Sequence, residues 1–261
     1  MFRSSPGRRG GRAVAVLAAA ALMLTLGGCG VDPLTPQEAR AESGGDDKAG
    51  TASRRVDCAR VKCIALTFDA GPGKDTPHLL DVLKEKRVPA TFFLLGRKHV
   101  DRYPKVVKRI ADEGHEVANH TWSHRILTDL DENEVREELS RTQDAVERIT
   151  GRKPVLMRPP QGRTDSMVGD VSRELGLAQI LWSITAKDYS TTDSALIRKR
   201  VLDQAHRDGI ILLHDIYDGT VPAVPGIIDE LQSRGYTFVT VPELLSPGTA
   251  RAGVVYRPEK D

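Results

Sequence analysis

Seven short apolar runs, each separated from the next by a stretch with helical spacing, dominate the sequence after Val56. The runs fall at 63–68, 90–95, 116–119, 155–157, 179–184, 210–213 and 237–241. The stretches between them fall at 77–86, 105–112, 132–149, 167–175, 195–205 and 225–233. In the fourth stretch Met167, Val171 and Leu175 recur at every fourth position, as one buried face of a helix requires. Parallel strands need a long crossover between neighbours, and an intervening helix supplies it. The pattern therefore predicts an α/β fold with about seven parallel strands, as a (β/α) barrel or as an open doubly wound sheet. In either architecture, functional residues gather beyond the carboxyl ends of the strands.

The flanks of this domain, taken as 56–246, read differently. Arg3, Arg8, Arg9 and Arg12 precede an apolar run from Ala13 to Leu26, and Gly27, Gly28 and Cys29 follow. A cationic start, a short apolar core and small residues at the end make an export signal over 1–28. The run is shorter than the roughly 20 residues that a spanning helix needs. Cys29, directly after small residues, resembles the lipidation site of bacterial lipoproteins; an ordinary signal peptide that happens to precede a Cys is the alternative. Residues 29–55 are rich in Gly, Ala, Ser and charge and predict a flexible tether, and 247–261 predict a short polar tail. Cys58 and Cys63 fit a disulfide in an oxidising compartment, against the alternative of half a zinc site.

Composition narrows the partners. With 38 Lys and Arg against 36 Asp and Glu, the chain gives no electrostatic reason to bind nucleic acid. At 5% aromatic residues it also offers little material for an extended sugar-stacking platform.

Polar residues cluster just after the apolar runs. The first run leads into Thr67, Phe68, Asp69, Ala70, Gly71 and Pro72, and the third into His120, Thr121, Trp122, Ser123 and His124. The fourth leads into Arg158, Pro159, Pro160, Gln161 and Gly162, the fifth through Trp182 to Lys187, Asp188 and Tyr189, and the sixth into His214 and Asp215. Two His four positions apart share one face of a helical turn, so both imidazoles can reach one divalent ion. Asp69 ends an apolar run, where it is either a turn cap before Gly71 or a general base. His214 is either a hydrogen-bonded core residue or the acid that protonates a leaving group. Asp188 is the natural ion-pair partner of Arg158.

Together these segments resemble the NodB-homology polysaccharide deacetylases, carbohydrate esterase family four, over about residues 60–245. Residues 67–72 are similar to the family's first motif, Thr-Phe-Asp-Asp-Gly-Pro; His120 through His124 match the second, with Leu127 following. Residues 158–162 resemble the third motif, Asp188 the second Asp of the fourth, and Leu212 with His214 the fifth. The resemblance implies a distorted (β/α) barrel and a zinc-type divalent metal, with cobalt or other ions as alternatives. It implies Asp69 as general base, His214 as general acid, an Arg158–Asp188 pair orienting Asp69, and His120 and His124 as metal ligands. Gln161, through a backbone N–H for the oxyanion, Trp182 and Leu212 are the substrate-facing positions.

Three positions depart from the family pattern. Ala70 stands where the family has a second Asp, a metal ligand, and a methyl group offers no lone pair. Metal binding is then weakened unless Asp69, Asp75 or water completes the shell. Gln161 replaces a Tyr, and Thr185 and Tyr189 stand where Asp and Trp are common. The expected activity is removal of N-acetyl groups from a polysaccharide by an exported, lipid-anchored protein facing the cell wall. Peptidoglycan N-acetylglucosamine is the first substrate, with chitin-like glycans as another. An acetylxylan esterase, a catalytically weakened glycan-binding lipoprotein and a structural lipoprotein are the other readings.

Overall fold

The computed structural model describes residues 1–2, 32–42 and 56–259. Cys29, nearly all of the expected export signal and most of the expected tether therefore lie outside the described residues. Among the described residues no helix is long and apolar enough to cross a membrane.

The described strands are β1 (Lys62–Asp69), β2 (Thr91–Leu94), β3 (Glu116–Asn119), β4 (Leu156–Met157), β5 (Ala178–Ile180), β6 (Ile184–Thr185), β7 (Gly209–Leu213), β8 (Tyr236–Val239) and β9 (Val255–Tyr256). The helices are α1 (Pro36–Ala41), α2 (Thr76–Lys86), α3 (Pro104–Asp112), α4 (Glu132–Thr150), α5 (Ser166–Glu174), α6 (Ser194–Gln204), α7 (Thr220–Ser233) and α8 (Val241–Leu245). The strands pair in the order β6–β7–β1–β2–β3–β4–β5–β9, with β8 against the first half of β1, and every pairing is parallel. The expected run at 179–184 is two strands. β5 pairs with β4 and β6 pairs with β7, so one stretch of chain joins the two ends of the sheet. That connection curls the sheet into a distorted (β/α) barrel.

Alternation along β1 sorts its side chains into two cores. Ile64, Leu66 and Phe68 point outward and pack with Leu79, Leu83, Phe92, Ile227 and other apolar residues in the layer between sheet and helices. Cys63 and Ala65 point inward and meet Phe93, Ala118, Leu156, Ile180, Ile210 and Val239 inside the barrel. Toward the carboxyl end the same inward series continues as Thr67 and Asp69, where the interior changes from apolar to polar. Helix caps fit the sequence: Asp131 with Glu134 opens α4, Gly151 closes it with φ 72°, and Asp165 caps α5. α7 begins at Thr220 rather than near Pro225, and Pro225 lies inside it. Its start is hidden in the sequence because proline is the usual mark of a helix's first turn.

Two expectations about the flanks are corrected. The segment expected to be a polar tail enters the sheet: Val255 and Tyr256 pair with Gln179 and Ile180, and Tyr256 is buried. Part of the expected tether is also folded, because α1 closes the amino-terminal mouth of the barrel. Its Ala39 is buried with Leu244, Leu245 and Tyr256, and Arg40 makes a 2.6 Å ion pair with Asp208 just before β7. Leu34 bridges Tyr256, donating its N–H to the Val255 carbonyl at 2.8 Å. Six helical residues and two strand residues are too short for periodicity to reveal them. At the same base, Cys58 and Cys63 are joined in a disulfide, both buried.

Candidate active site

The polar interior at the carboxyl ends of the strands is organised around Arg158. This side chain, fully buried at 0% exposure, follows β4 and crosses the barrel mouth toward β1. Its Nη1 donates to Asp69 Oδ1 at 2.6 Å and to Thr67 Oγ1 at 2.8 Å, and its Nε donates to the Ile180 carbonyl at 2.9 Å. The guanidinium lies 4.0 Å from the centroid of the Phe93 ring, which supports it from below. Thr67 Oγ1 in turn donates to the Ile211 carbonyl at 2.7 Å, tying the group to β7.

The expected Arg158–Asp188 pair does not form. Asp188 sits in a short 3-10 turn after β6 and belongs to His214. Its Oδ1 is 2.8 Å from His214 Nδ1, and its Oδ2 accepts from the His214 backbone N–H and from Thr220 Oγ1, both at 2.7 Å. Strand order explains the exchange: β6 lies beside β7, so a residue just beyond β6 meets one just beyond β7. A carboxylate cannot donate, so His214 Nδ1 carries a proton and Nε2 is left for other partners. Burial disfavours the His214 imidazolium. The Asp188 hydrogen bond and charge, with Asp69, outweigh that and raise its pKa above the ordinary histidine value.

His120 and His124 lie beside Asp69, but on a loop rather than a helical turn. Thr121 and His124 have φ of 70° and 64°, and the loop is held by side chains. Asn119 accepts the Thr121 N–H at 2.8 Å, and Glu138 accepts the Ser123 N–H and hydroxyl at 2.8 and 2.5 Å. The two imidazoles meet edge to face with centroids 4.9 Å apart. His120 Nδ1 is 2.8 Å from the Arg158 carbonyl, which can only accept, so the neutral ring presents an Nε2 lone pair. Burial lowers the His120 pKa to about 4 and keeps that ring neutral; burial lowers His124 as well. His120 Nε2 and Asp69 Oδ2 face one another at 3.9 Å.

This donor set fits a metal ion only in part. Ala70, where a second carboxylate would complete the shell, is buried with φ 63°. Among the described residues no three His, Cys, Asp or Glu side chains converge closely enough to hold an ion. The residues present do not build a complete protein shell, and no step below passes through a metal.

The remaining expected positions are dispersed around the same mouth. Gln161 is exposed with φ 58°, and Gly162 behind it leaves room for the Trp182 ring. Trp182 is half-buried, 5.6 Å from the Arg158 guanidinium, and Leu212 lines the interior at the end of β7. Asp215, which stands with His214 beyond the sixth run, carried no expected role. It is fully buried, accepts a short hydrogen bond from Thr76 and packs so closely on Gly71 that no side chain fits there. Burial raises its pKa to about 6. The signal was present: a charged residue directly after an apolar strand and a His needs a reason to be buried. It braces the loop that carries Asp69.

The chain is similar in sequence and fold to known proteins. The sequence model of the polysaccharide deacetylase family matches residues 57–180. The peptidoglycan-N-acetylglucosamine deacetylase PgdA of Listeria monocytogenes is 41% identical over 184 residues, 70% of this chain and 39% of that protein. The chain thus spans well under half the length of that curated relative. A solved structure described as T48 deacetylase with substrate superposes with a TM-score of 0.74 at 39% identity, covering 77% of this chain and 99% of the other. A solved mutant of a CE4-family pseudoenzyme with restored enzymatic activity has a TM-score of 0.68 at 30% identity, covering 72% of this chain and 68% of the other.

Proposed function

Since the chain belongs to the polysaccharide deacetylase family, carbohydrate esterase family four, we propose that it hydrolyses N-acetyl groups on a cell-wall glycan, with peptidoglycan N-acetylglucosamine first. The observation that carries the reading is the opposed pairing at one rim: Arg158 on Asp69 and Asp188 on His214. The guanidinium fixes the Asp69 side chain in place as the proposed acceptor of a proton from an attacking water. Attack on the acetyl carbonyl gives a tetrahedral oxyanion, for which a backbone N–H near Gln161 is the proposed donor. His214, whose protonated form Asp188 favours, gives its proton to the departing amine as the carbon–nitrogen bond breaks. Acetate and the free amino sugar are the products. Trp182 and Leu212 line the wall that the acetyl group meets.

The family is generally metal-dependent, and a divalent ion would polarise the carbonyl and lower the pKa of bound water. His120 and His124 are the protein's proposed ligands for it and zinc the proposed ion, held weakly because Ala70 brings no carboxylate.

The proposed export and lipidation at Cys29 gain a geometric consequence from α1. Leu34 is docked at the base of the barrel only five residues beyond that Cys. A chain of that length spans at most about 18 Å. An acylated Cys29 would hold the base toward the membrane and turn the catalytic rim toward the wall.

A catalytically weak glycan-binding protein is the second reading, favoured by Ala70 and by the likeness to a family pseudoenzyme. Acetate release from peptidoglycan, chitooligosaccharides and acetylxylan, measured across added zinc and cobalt, separates the two. Release from the N-acetylated glycans supports the proposal. Glycan binding without release at any metal concentration supports the second reading.

A further inference from the structure

The two ends of the barrel differ in charge. Because every strand pairing is parallel, the loops that lead into strands from the preceding segment lie at the base, and the loops that run from strands to helices lie at the catalytic rim. The described base loops are 57–61, 87–90, 113–115, 151–155, 175–177, 205–208, 234–235 and 246–254. They carry seven Arg and Lys against three Asp and Glu, and one of those acids, Asp208, is buried. The rim loops at 70–75, 95–103, 120–131, 158–165, 186–193 and 214–219 carry eight against nine. Aliphatic exposure has the same bias. After Phe2, the described residues expose two large aliphatic side chains, Val155 at 52% and Val61 at 38%, and both stand on base loops. Each has cations beside it: Arg60 and Lys62 flank Val61, and Arg152 and Lys153 come shortly before Val155.

A helix end attracts a cation, which accounts for Arg87, Arg152 and Arg234 just after α2, α4 and α7. It does not account for Arg60 and Lys62 at the turn before β1, nor for valines left in water. One exposed valine needs no explanation. Two at the same end, each beside basic side chains, match a surface that meets both phosphate groups and the acyl boundary beneath them. Arg60 and Arg87 are exposed and make no ion pair among the described residues, so neither charge is already neutralised. Arg and Lys can lay their aliphatic stems along an apolar boundary while the charged heads stay among the phosphates. The amino-terminal segment also docks at this end, where Leu34 bridges Tyr256 five residues beyond Cys29.

We propose that the base of the barrel is a contact face for an anionic phospholipid surface, met through Arg60, Val61, Lys62, Arg87, Lys153 and Val155. The proposal rests on the export and lipid-anchor reading, which keeps Leu34 within about 18 Å of an acylated Cys29. An anchor alone sets distance and leaves the domain free to tumble. Charge on the base adds orientation, because a cationic end is drawn to the phosphates and a rim with no excess of cations is not. The mouth that holds Asp69 and His214 then faces away from the bilayer, toward the glycan.

The test is amide hydrogen exchange on the full chain, reconstituted into vesicles of phosphatidylcholine alone or of phosphatidylcholine with phosphatidylglycerol. Both vesicles hold the apolar amino-terminal segment, so their difference reports the base. Exchange at 57–62 and 151–155 should slow on the anionic vesicles and recover at high salt, while the rim loop at 186–193 exchanges equally on both. Each cation near an anionic surface contributes about fivefold to the contact equilibrium, so Arg60→Gln combined with Arg87→Gln should weaken the contact by about thirtyfold. Both side chains are exposed, and an unchanged melting temperature excludes a folding effect. Equal exchange on the two vesicles overturns the contact face, and so does slowing confined to the rim. Slowing by soluble long-chain polyphosphate without slowing by anionic vesicles assigns the cations to a wall polymer and overturns the membrane assignment. The anchor is read separately, from the mass of the amino-terminal peptide of chain purified from membranes. An unacylated Cys29 with the base protected overturns the anchor and leaves the face standing.

Discussion

Ala70→Asp is the most informative single change, because its effect should reverse sign with metal. Ala70 has φ 63°, a left-handed conformation that costs an L-residue with a Cβ about 1–2 kcal/mol. Asp tolerates that conformation better than Ala, so the backbone itself should favour the substitution slightly. The electrostatics should not. The new carboxylate would stand beside Asp69 in a buried mouth, and two like charges about 5–6 Å apart at an effective dielectric near 20 repel by about 3 kcal/mol. The metal-free variant should therefore be less stable by about 2 kcal/mol, a fall of roughly 4–8 °C in Tm for a domain of this size. A divalent ion inverts the balance. Outer-shell partners of a metal ligand already change affinity by about 10–100-fold, so a direct carboxylate should tighten binding by about 100-fold or more, about 2.7 kcal/mol. Zinc in excess should then bring the variant's Tm up to or above that of wild type. Calorimetric titration of chelator-treated wild type and variant gives the affinities, and thermal melts with and without zinc give the stabilities. Equal zinc affinity in the two proteins would refute the reasoning, and would mean that another group already fills the position. A metal-free variant more stable than wild type would refute the like-charge argument.

Three further outcomes follow from the same contacts. Asp69→Asn should abolish acetate release while glycan binding persists; it also strips a buried guanidinium of its counter-charge, a loss of about 3–5 kcal/mol in denaturant unfolding. Asp188→Asn should lower the His214 pKa and move the alkaline limb of a pH–rate profile to lower pH. The folded-state pKa of His214 is raised, so its contribution to stability is fully present below about 6.5 and is lost as pH rises through the raised value. The variant should accordingly lose more stability at pH 5.5–6 than at pH 9 (about 6 and 9 as the two arms of the comparison). Tyr256→Ala should destabilise the protein by about 3 kcal/mol, since the ring is 1% exposed at the plugged base; a loss under about 0.5 kcal/mol would return the carboxyl-terminal segment to the status of a loose tail.

The layered architecture was legible because its signal is redundant. Each of the first six apolar runs is followed by a helix, and Asp131, Asp165 and Asp193 each cap a helix start. The parts that escaped were those whose reason lies elsewhere in the chain. β9 is two residues long and is a strand only because β5 offers it an edge, and α1 is a single turn and a half whose burial depends on the open base of the barrel. The split of the 179–184 run into β5 and β6 has the same origin, because nothing local says that the two halves face opposite ends of one sheet. At the site, residue types and their gathering beyond strand ends could be read, but pairing could not. Arg158 and Asp188 attract on charge alone, yet each has a nearer partner once strand order is known.

That exchange of partners decides more than geometry. A single Arg158–Asp188 pair would have left Asp69 without its cation and His214 without its carboxylate. In the observed arrangement a buried cation faces the proposed base, and a buried anion faces the proposed acid. Asp188 favours the protonated form of His214, and Asp69 keeps a cationic partner in the same mouth, an arrangement suited to the proposed acid and base work. His120, kept neutral by burial, turns its Nε2 lone pair to Asp69. Ala70 takes part in neither pair and bears only on the proposed metal shell. Arg158 at 0% exposure is costly to bury unless it is paired, and the proposed base is the group that pairs with it. The absent carboxylate at Ala70 therefore bears on the proposed metal affinity, and the paired charges on the proposed proton transfers.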